Sequence, residues 1–192
     1  MLLPQYTPDI IECGCDEAGR GCLAGPVYAA AVILPKNYHN ERLNDSKQLT
    51  ESQRYQLRLE IERDALGWAV ASVPPREIDR TNILRAAIHA MNLAVGKLTT
   101  TPGLLLIDGN CFYNESPIPY QTIVKGDGKY MSIAAASILA KTYRDDHMKA
   151  LHLQHPLYGW DRNKGYPTAA HYAALALHDP TEQHRLTFKL KR

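Results

Sequence analysis

Asp16 and Glu17 stand side by side where an apolar run (Ile10, Ile11, Cys13 and Cys15) stops, and Gly19, Arg20, Gly21 and Gly25 follow before a second apolar run, Val27 to Leu34. Paired carboxylates are the ligands that hard divalent cations take. Glycines on either side of an arginine let backbone approach a ligand closely with a cation at hand, as phosphate recognition requires. The stretch reads as strand, acidic turn, strand. Neighbouring side chains on an extended chain point to opposite faces, so the two acids converge on one site only if the backbone bends there, and the glycines supply that freedom. The spacing G-x-G-x-x-x-G, with Pro26 and β-branched residues after it, does not fit the dinucleotide fingerprint, whose glycines open a helix. Without further carboxylates the stretch would be a surface hairpin with two solvated acids.

Further carboxylates are present. Leu104 to Ile107 is a short continuous apolar run bounded by Pro102-Gly103 and Gly109-Asn110, the pattern of a strand buried on both faces, and Asp108 is the first polar residue at its carboxyl end. Ligands of open α/β sheets bind beyond the carboxyl ends of strands, although Asp before Gly is also a turn former. The most helical stretch, Ser132 to Met148, is apolar at first and charged later. Asp145 follows Ile138 by seven residues and Lys141 by four, and Asp146 bears the same relation to Leu139, so periodicity does not choose between them. Several carboxylates around one spot repel unless cations neutralise them, and oxygen ligands without an ordered His/Cys set favour Mg²⁺ or Mn²⁺ over zinc. Two such ions can activate a water and stabilise the leaving oxygen of a phosphodiester. With Arg20, Lys47 and Tyr166 suited to a sugar-phosphate backbone, the residues alone point to a metal-dependent phosphodiesterase.

The elements that must position these groups follow from local pattern. Thr50 and Gln53 fit a capping box for a helix over Glu51 to Ala65. Trp68 to Val73, stopped by Pro74-Pro75, predicts a short edge strand. Arg76 to Arg80 predicts a turn or two of helix, and Asn82 caps another that ends near Gly96. Gln121 to Val124 predicts a strand, Trp160 to Thr168 a loop, and Thr168 the cap of a helix through Leu177. The order implies an α/β fold whose mixed sheet begins as an antiparallel meander and continues with parallel strands. If the strand ending at Asp108 lies parallel beside the one ending at Asp16, both acids share one sheet edge.

With 192 residues the chain suffices for one domain with one sizeable core. Its 22 basic and 20 acidic residues give a formal charge of +2, too mild to argue nucleic-acid binding by itself. Four bases (Arg185, Lys189, Lys191, Arg192) gather at the end. Cys13, Cys15, Cys22 and Cys111 show no zinc spacing and read as free thiols, which would cluster near the site if the fold brought the acidic strand ends together. No signal peptide or membrane span is visible, which implies a cytoplasmic protein.

The runs Asp16-Glu17-Ala18-Gly19-Arg20-Gly21, Asn44-Asp45-Ser46-Lys47, Ile107-Asp108-Gly109-Asn110, Lys125-Gly126-Asp127, Ala135-Ala136-Ser137-Ile138-Leu139-Ala140-Lys141, Arg144-Asp145, Lys164-Gly165-Tyr166-Pro167-Thr168 and His184-Arg185 resemble, in order, those of bacterial ribonuclease HII. The resemblance implies a single ribonuclease H-like domain over 1–192: a mixed five-stranded sheet flanked by helices, with a helical substrate-contacting segment from about residue 150. It implies cleavage of the RNA strand of RNA–DNA hybrids and at ribonucleotides in duplex DNA by two Mn²⁺ or Mg²⁺ ions, giving 3′-hydroxyl and 5′-phosphate ends, with no obligate protein partner and a monomeric chain. Carried over residue by residue, Asp16, Glu17, Asp108 and Asp145 are the catalytic metal ligands, which selects Asp145 over Asp146. Gly19, Arg20, Gly21, Lys47, Lys164, Tyr166 and Arg185 fall on substrate-binding positions. Cys22 and Asn163 depart from the family's frequent proline and histidine. Another two-metal nuclease of this fold, such as a junction resolvase, and a non-catalytic nucleic-acid-binding module are the alternatives.

Overall fold

The computed structural model describes residues 2–44, 46 and 48–190. Five strands, β1 (Glu12–Ala18), β2 (Val27–Ile33), β3 (Gly67–Val73), β4 (Leu104–Asp108) and β5 (Tyr120–Ile123), form one sheet in the order β3-β2-β1-β4-β5. The first three make an antiparallel meander, and β4 and β5 add in parallel beside β1. This is the mixed architecture implied above, with the proline-stopped β3 at an edge. Among the described residues six α-helices accompany the sheet: α1 (Glu51–Asp64), α2 (Pro75–Arg80), α3 (Ile83–Gly96), α4 (Met131–Gln154), α5 (Trp160–Asn163) and α6 (Ala169–Leu177). Thr50 and Gln53 close the reciprocal capping box on α1, and the Asn82 side chain accepts from Arg85 N–H at the start of α3.

Three segments differ from the sequence expectation. The acids lie within β1, whose ladder continues through Asp16–Ala30 and Glu17–Ala29 to Ala18–Tyr28; the turn begins at Gly19, at φ +93°. Central pairing of β1 satisfies the backbone of both acids and carries the strand past its apolar run. Helix α4 extends beyond Met148 to Gln154 because Met148 and Leu151 remain buried, packing with Tyr158 and Trp160. The expected loop from Trp160 begins instead as the short α5. Trp160 is wholly buried, and Asn163 ties the turn together, donating to Tyr158 O and accepting from Gly165 N–H.

The sheet is covered on both faces. Cys13, Cys15, Ala29, Ala31, Ile33, Leu105 and Ile107 enter one core with α3; Ala30 and Val32 enter the other with α1 and α4. Alternation along each strand produces this division. The α4 face is the more tightly drawn. A β-carbon on Gly14 would lie 2.2 Å from the Ser132 carbonyl carbon and 2.4 Å from Ile133 N, so β1 and the first turn of α4 meet backbone to backbone.

The thiols do not form one cluster. Cys13 and Cys15 are neighbours in the α3-side core, with Sγ atoms 3.9 Å apart, whereas Cys22 adjoins Tyr166 and Cys111 adjoins Tyr113. Among the described residues no helix is long and apolar enough to cross a membrane.

Gly14→Ala tests the close approach. It should cost about 1–3 kcal/mol by overpacking, lowering Tm by several degrees, because the obstructing atoms are backbone and cannot rotate away. Thermal denaturation followed by circular dichroism checks this.

Candidate active site

Cys15 on β1 pairs with Ile107 on β4, and both side chains enter the α3-side core. The next residue of each strand, Asp16 and Asp108, therefore turns to the α4 face beside the other. Asp16 accepts from Ser137 of α4 and, at 2.6 Å, from Glu17 N–H. Asp108 Oδ1 accepts from Gly126 N–H at 2.7 Å. Glu17, at the strand end, pairs with Arg20 at 3.0 Å. These three acids line one open cleft of about 260 Å³ with Gly19, Arg20, Gly21, Ser46, Arg54, Ser137, Lys141 and Tyr166.

Charge is crowded here. Burial first, then the charges of Glu17 and Asp108, push the Asp16 carboxyl well above its ordinary range, against the opposing hydrogen bonds from Ser137 and Glu17 N–H. Burial also raises Glu17, opposed by Arg20. A divalent cation would relieve both, and the donors are the hard oxygens that Mg²⁺ and Mn²⁺ take, so the acid set fits such an ion. Among the described residues, no three carboxylate, imidazole or thiol groups already converge on one point. Each acid is drawn toward an internal donor instead: Asp16 to Ser137, Glu17 to Arg20, Asp108 to Gly126.

Asp145 lies on the α4 stripe that carries Ser137 and Lys141, at helical spacing from both. It is 2% exposed and accepts from Lys141 Nζ at 2.6 Å, which interposes the lysine between this acid and the cleft. Asp146 faces away, accepting from Tyr55 and Arg58 of α1. Tyr166 lines the cleft, with its ring near Lys141 Nζ and its hydroxyl beside the buried Cys22 thiol. Lys47 falls outside the described residues.

Two residues expected at substrate-binding positions have their charged groups turned inward. Lys164 is 8% exposed and its ammonium donates to Asp161 O, closing the turn of α5. Arg185 is wholly buried beneath the glycine loop, and its guanidinium donates to the backbone carbonyls of Gly19, Arg20 and Gly25. Neither has a charged head in the cleft. Arg144, also fully buried, holds Ala24, Pro26 and Lys164 carbonyls in the same manner. A β-carbon on Gly19 would lie 2.0 Å from Arg144 Nε, so this position demands glycine for space as well as for its positive φ. Arg54 lines the cleft although the sequence pattern did not single it out; Ser46, Ser137 and Lys141, which also line it, stand in the runs that carry the family resemblance. Helical spacing from Asp145 was the signal for the last two. Arg54 carries no local signal; its guanidinium donates to Ser46 O and Leu49 O.

The segment carrying Arg185 is anchored by imidazoles. Thr181 N–H donates to His184 Nδ1 at 2.9 Å, which places the His184 proton on Nε2, facing His171 Nε2 at 3.2 Å. Trp160 Nε1 also donates to His171 Nε2, and His171 Nδ1 donates to Tyr166 O at 3.0 Å. Both rings are therefore neutral and satisfied.

Known proteins resemble this chain over nearly its whole length. The family model described as Ribonuclease HII matches residues 13–191. Ribonuclease HII of Bacteroides thetaiotaomicron is 64% identical over 190 residues, covering 99% of this chain and 95% of the relative. That of Porphyromonas gingivalis is 58% identical, covering 98% and 94%. The crystal structure of ribonuclease H2 from Pyrococcus horikoshii OT3 superposes with a TM-score of 0.79 at 25% identity over 93% of this chain and 94% of that one. Bst-RNase HIII in complex with Mn²⁺ shares the fold, with a TM-score of 0.78 at 19% identity, over 94% of this chain and 68% of that one.

The imidazole anchor predicts acid sensitivity. Burial, followed by the neighbouring His171, holds His184 down to about 4, below the ordinary 6.5 that it regains on unfolding. Between these values the unfolded chain takes up a proton that the fold refuses, so stability falls as pH drops from 6.5 toward 4, by at most about 3 kcal/mol from this group. Melting curves over that range should show the fall. His184→Gln should be less stable at neutral pH and less steep across the window.

Proposed function

The chain belongs to the ribonuclease HII family, metal-dependent endoribonucleases that act on RNA–DNA hybrids, and from that premise we propose that it cuts both the RNA strand of hybrids and single ribonucleotides embedded in duplex DNA. The products are 3′-hydroxyl and 5′-phosphate ends. The observation that carries this is the meeting of Asp16, Glu17 and Asp108, from two adjacent parallel strands, in one cleft with the glycine–arginine–glycine loop and Tyr166.

In this reading Asp16, Glu17 and Asp108 hold Mg²⁺ or Mn²⁺, and Asp145 is the fourth ligand. Bound there, two ions supply an activated water and charge stabilisation at the leaving oxygen. The chain's own groups do the positioning. Ser137 and the Glu17 amide orient the Asp16 carboxylate, and Gly126 N–H orients that of Asp108. Arg20, half exposed, serves a phosphate beside Glu17. Lys141 provides a second cation at the cleft wall. The backbone of Gly19, Arg20 and Gly21 meets the ribose 2′-hydroxyl, the group that separates RNA from DNA. Tyr166 packs against the neighbouring sugar and favours an RNA-to-DNA junction. No second chain is needed to complete the site.

Matched duplexes with no, one or several ribonucleotides, and a four-way DNA junction, test the assignment. Cutting at ribonucleotides alone supports it; cutting of the all-DNA junction alone replaces it with a resolvase, and binding without cutting with a non-catalytic module. Asp108→Asn should lower turnover by roughly two orders of magnitude or more while the fold persists, and should shrink the rise in Tm that millimolar Mg²⁺ or Mn²⁺ gives the wild type. Unchanged turnover removes Asp108 from the chemistry. Tyr166→Ala should harm cleavage at a lone ribonucleotide more than cleavage of a long hybrid, and equal losses would refute a junction role.

A further inference from the structure

Arg185 grips the back of the loop after β1 with its whole guanidinium. Its Nη2 donates to Gly19 O at 2.7 Å and Gly25 O at 2.9 Å, Nη1 to Arg20 O at 2.8 Å, and Nε to Gly25 O at 3.0 Å. Backbone bonds stitch the same two segments together: Arg185 N–H to Leu23 O and Gly25 N–H to Gln183 O, each 2.8 Å.

This grip determines which way two peptide units face. In a trans peptide the carbonyl and the following N–H lie in one plane and point in opposite directions. With the carbonyls of Gly19 and Arg20 drawn inward to Arg185, the N–H groups of Arg20 and Gly21 are turned outward, toward the cleft that these residues line. Neither N–H donates to a backbone acceptor among the described residues. Gly21 adds an independent sign: a β-carbon there would meet nothing within 4 Å, so no internal contact requires a glycine. What a missing side chain does provide is uncovered backbone at that point.

We propose that Arg185 is a positioning residue, which fixes the peptide planes on either side of Arg20 so that two adjacent N–H donors stand ready for the 2′-hydroxyl oxygen of a ribonucleotide. The proposal rests on the ribonucleotide-cleaving assignment of the cleft. Donors held in advance need no reorganisation when the ligand arrives. The rigid fork of arginine can serve several carbonyls at once, and the point charge of a lysine on a flexible stem cannot hold the same planes. Arg144 grips only the far end of the loop, at Ala24 and Pro26, and leaves the planes flanking Arg20 to Arg185.

The test compares binding of two duplexes, one with a single ribonucleotide and one all DNA, by wild type and Arg185→Lys, with Ca²⁺ in place of Mg²⁺. The wild type should prefer the ribonucleotide duplex. Arg185→Lys should lose about tenfold of that preference, the worth of one or two hydrogen bonds, with its affinity for the all-DNA duplex unchanged. Retained preference, or equal loss on both duplexes, overturns the positioning role and leaves Arg185 a packing residue. If Arg185→Lys does not fold, amide NMR of the wild type decides: the Arg20 and Gly21 resonances should shift with the ribonucleotide duplex and not with the all-DNA one, and silence at both overturns the proposal. Wild-type cleavage in Mg²⁺ is the separate control, since a wild type that cuts no ribonucleotide-containing duplex defeats the assignment of the cleft rather than the role of Arg185.

Discussion

Buried negative charge at the carboxyl ends of β1 and β4 is the constraint around which the rest of the molecule is arranged. Asp16 is 4% exposed and shares its surroundings with Glu17 and Asp108. Carboxylates so placed repel, and each must be given a donor or lose its charge. The chain answers with one donor from each neighbouring element: Ser137 from α4, Gly126 N–H from the turn before α4, and Arg20 from the loop after β1. The contact at Gly14 that brings α4 against β1 is therefore also what brings Ser137 within reach of Asp16.

A second constraint lies behind the cleft. The loop from Gly19 to Pro26 runs between β1 and β2 with its carbonyls turned inward, where unpaired backbone groups would be costly. Two buried guanidiniums from distant parts of the chain, Arg144 on α4 and Arg185 near the end, satisfy them. Arg144 also holds Lys164 O, so the loop, the helix bearing Asp145 and the segment bearing Tyr166 are joined at one buried charge. The neutral pair His171 and His184 locks the same terminal segment against Trp160.

How much of this could be read from sequence depended on whether the deciding interaction was local. The helix caps at Thr50, Asn82 and Thr168, the proline-stopped edge strand and the buried apolar run before Asp108 are all local, and the structure has each of them. Element order implied parallel strands after the meander but left open whether β4 lies beside β1; the structure pairs them, and so Asp16 meets Asp108. The reach of β1 through both acids was not legible, because the ladder with β2 overrode the polar pattern. The extension of α4 depended on Trp160, far along the chain. The lining residue Arg54 has no spacing that betrays it. The burial of Arg185 is illegible for a related reason: a basic residue near a chain end suggests a solvated cation, and only tertiary structure reveals three inward-facing carbonyls waiting for it.

The two halves of the cleft are held by contacts of different strength, and the difference suits what each half must do. Glu17 is paired with an arginine half exposed to water, and such a pair contributes about 0–1 kcal/mol, so it yields readily to a stronger cation. Asp145 is paired with Lys141, itself at the cleft wall and lowered from its ordinary range chiefly by burial. The loop is different. Its carbonyls are bound by guanidiniums with no exposed surface, and removing one partner of such a set leaves the others unpaired in the interior, a cost of several kcal/mol. A weakly held partner on Glu17 and fixed partners on the loop make a cleft whose charge can rearrange at one acid while its backbone stays still, which suits the proposed recognition of a sugar by a rigid edge and chemistry on its phosphate.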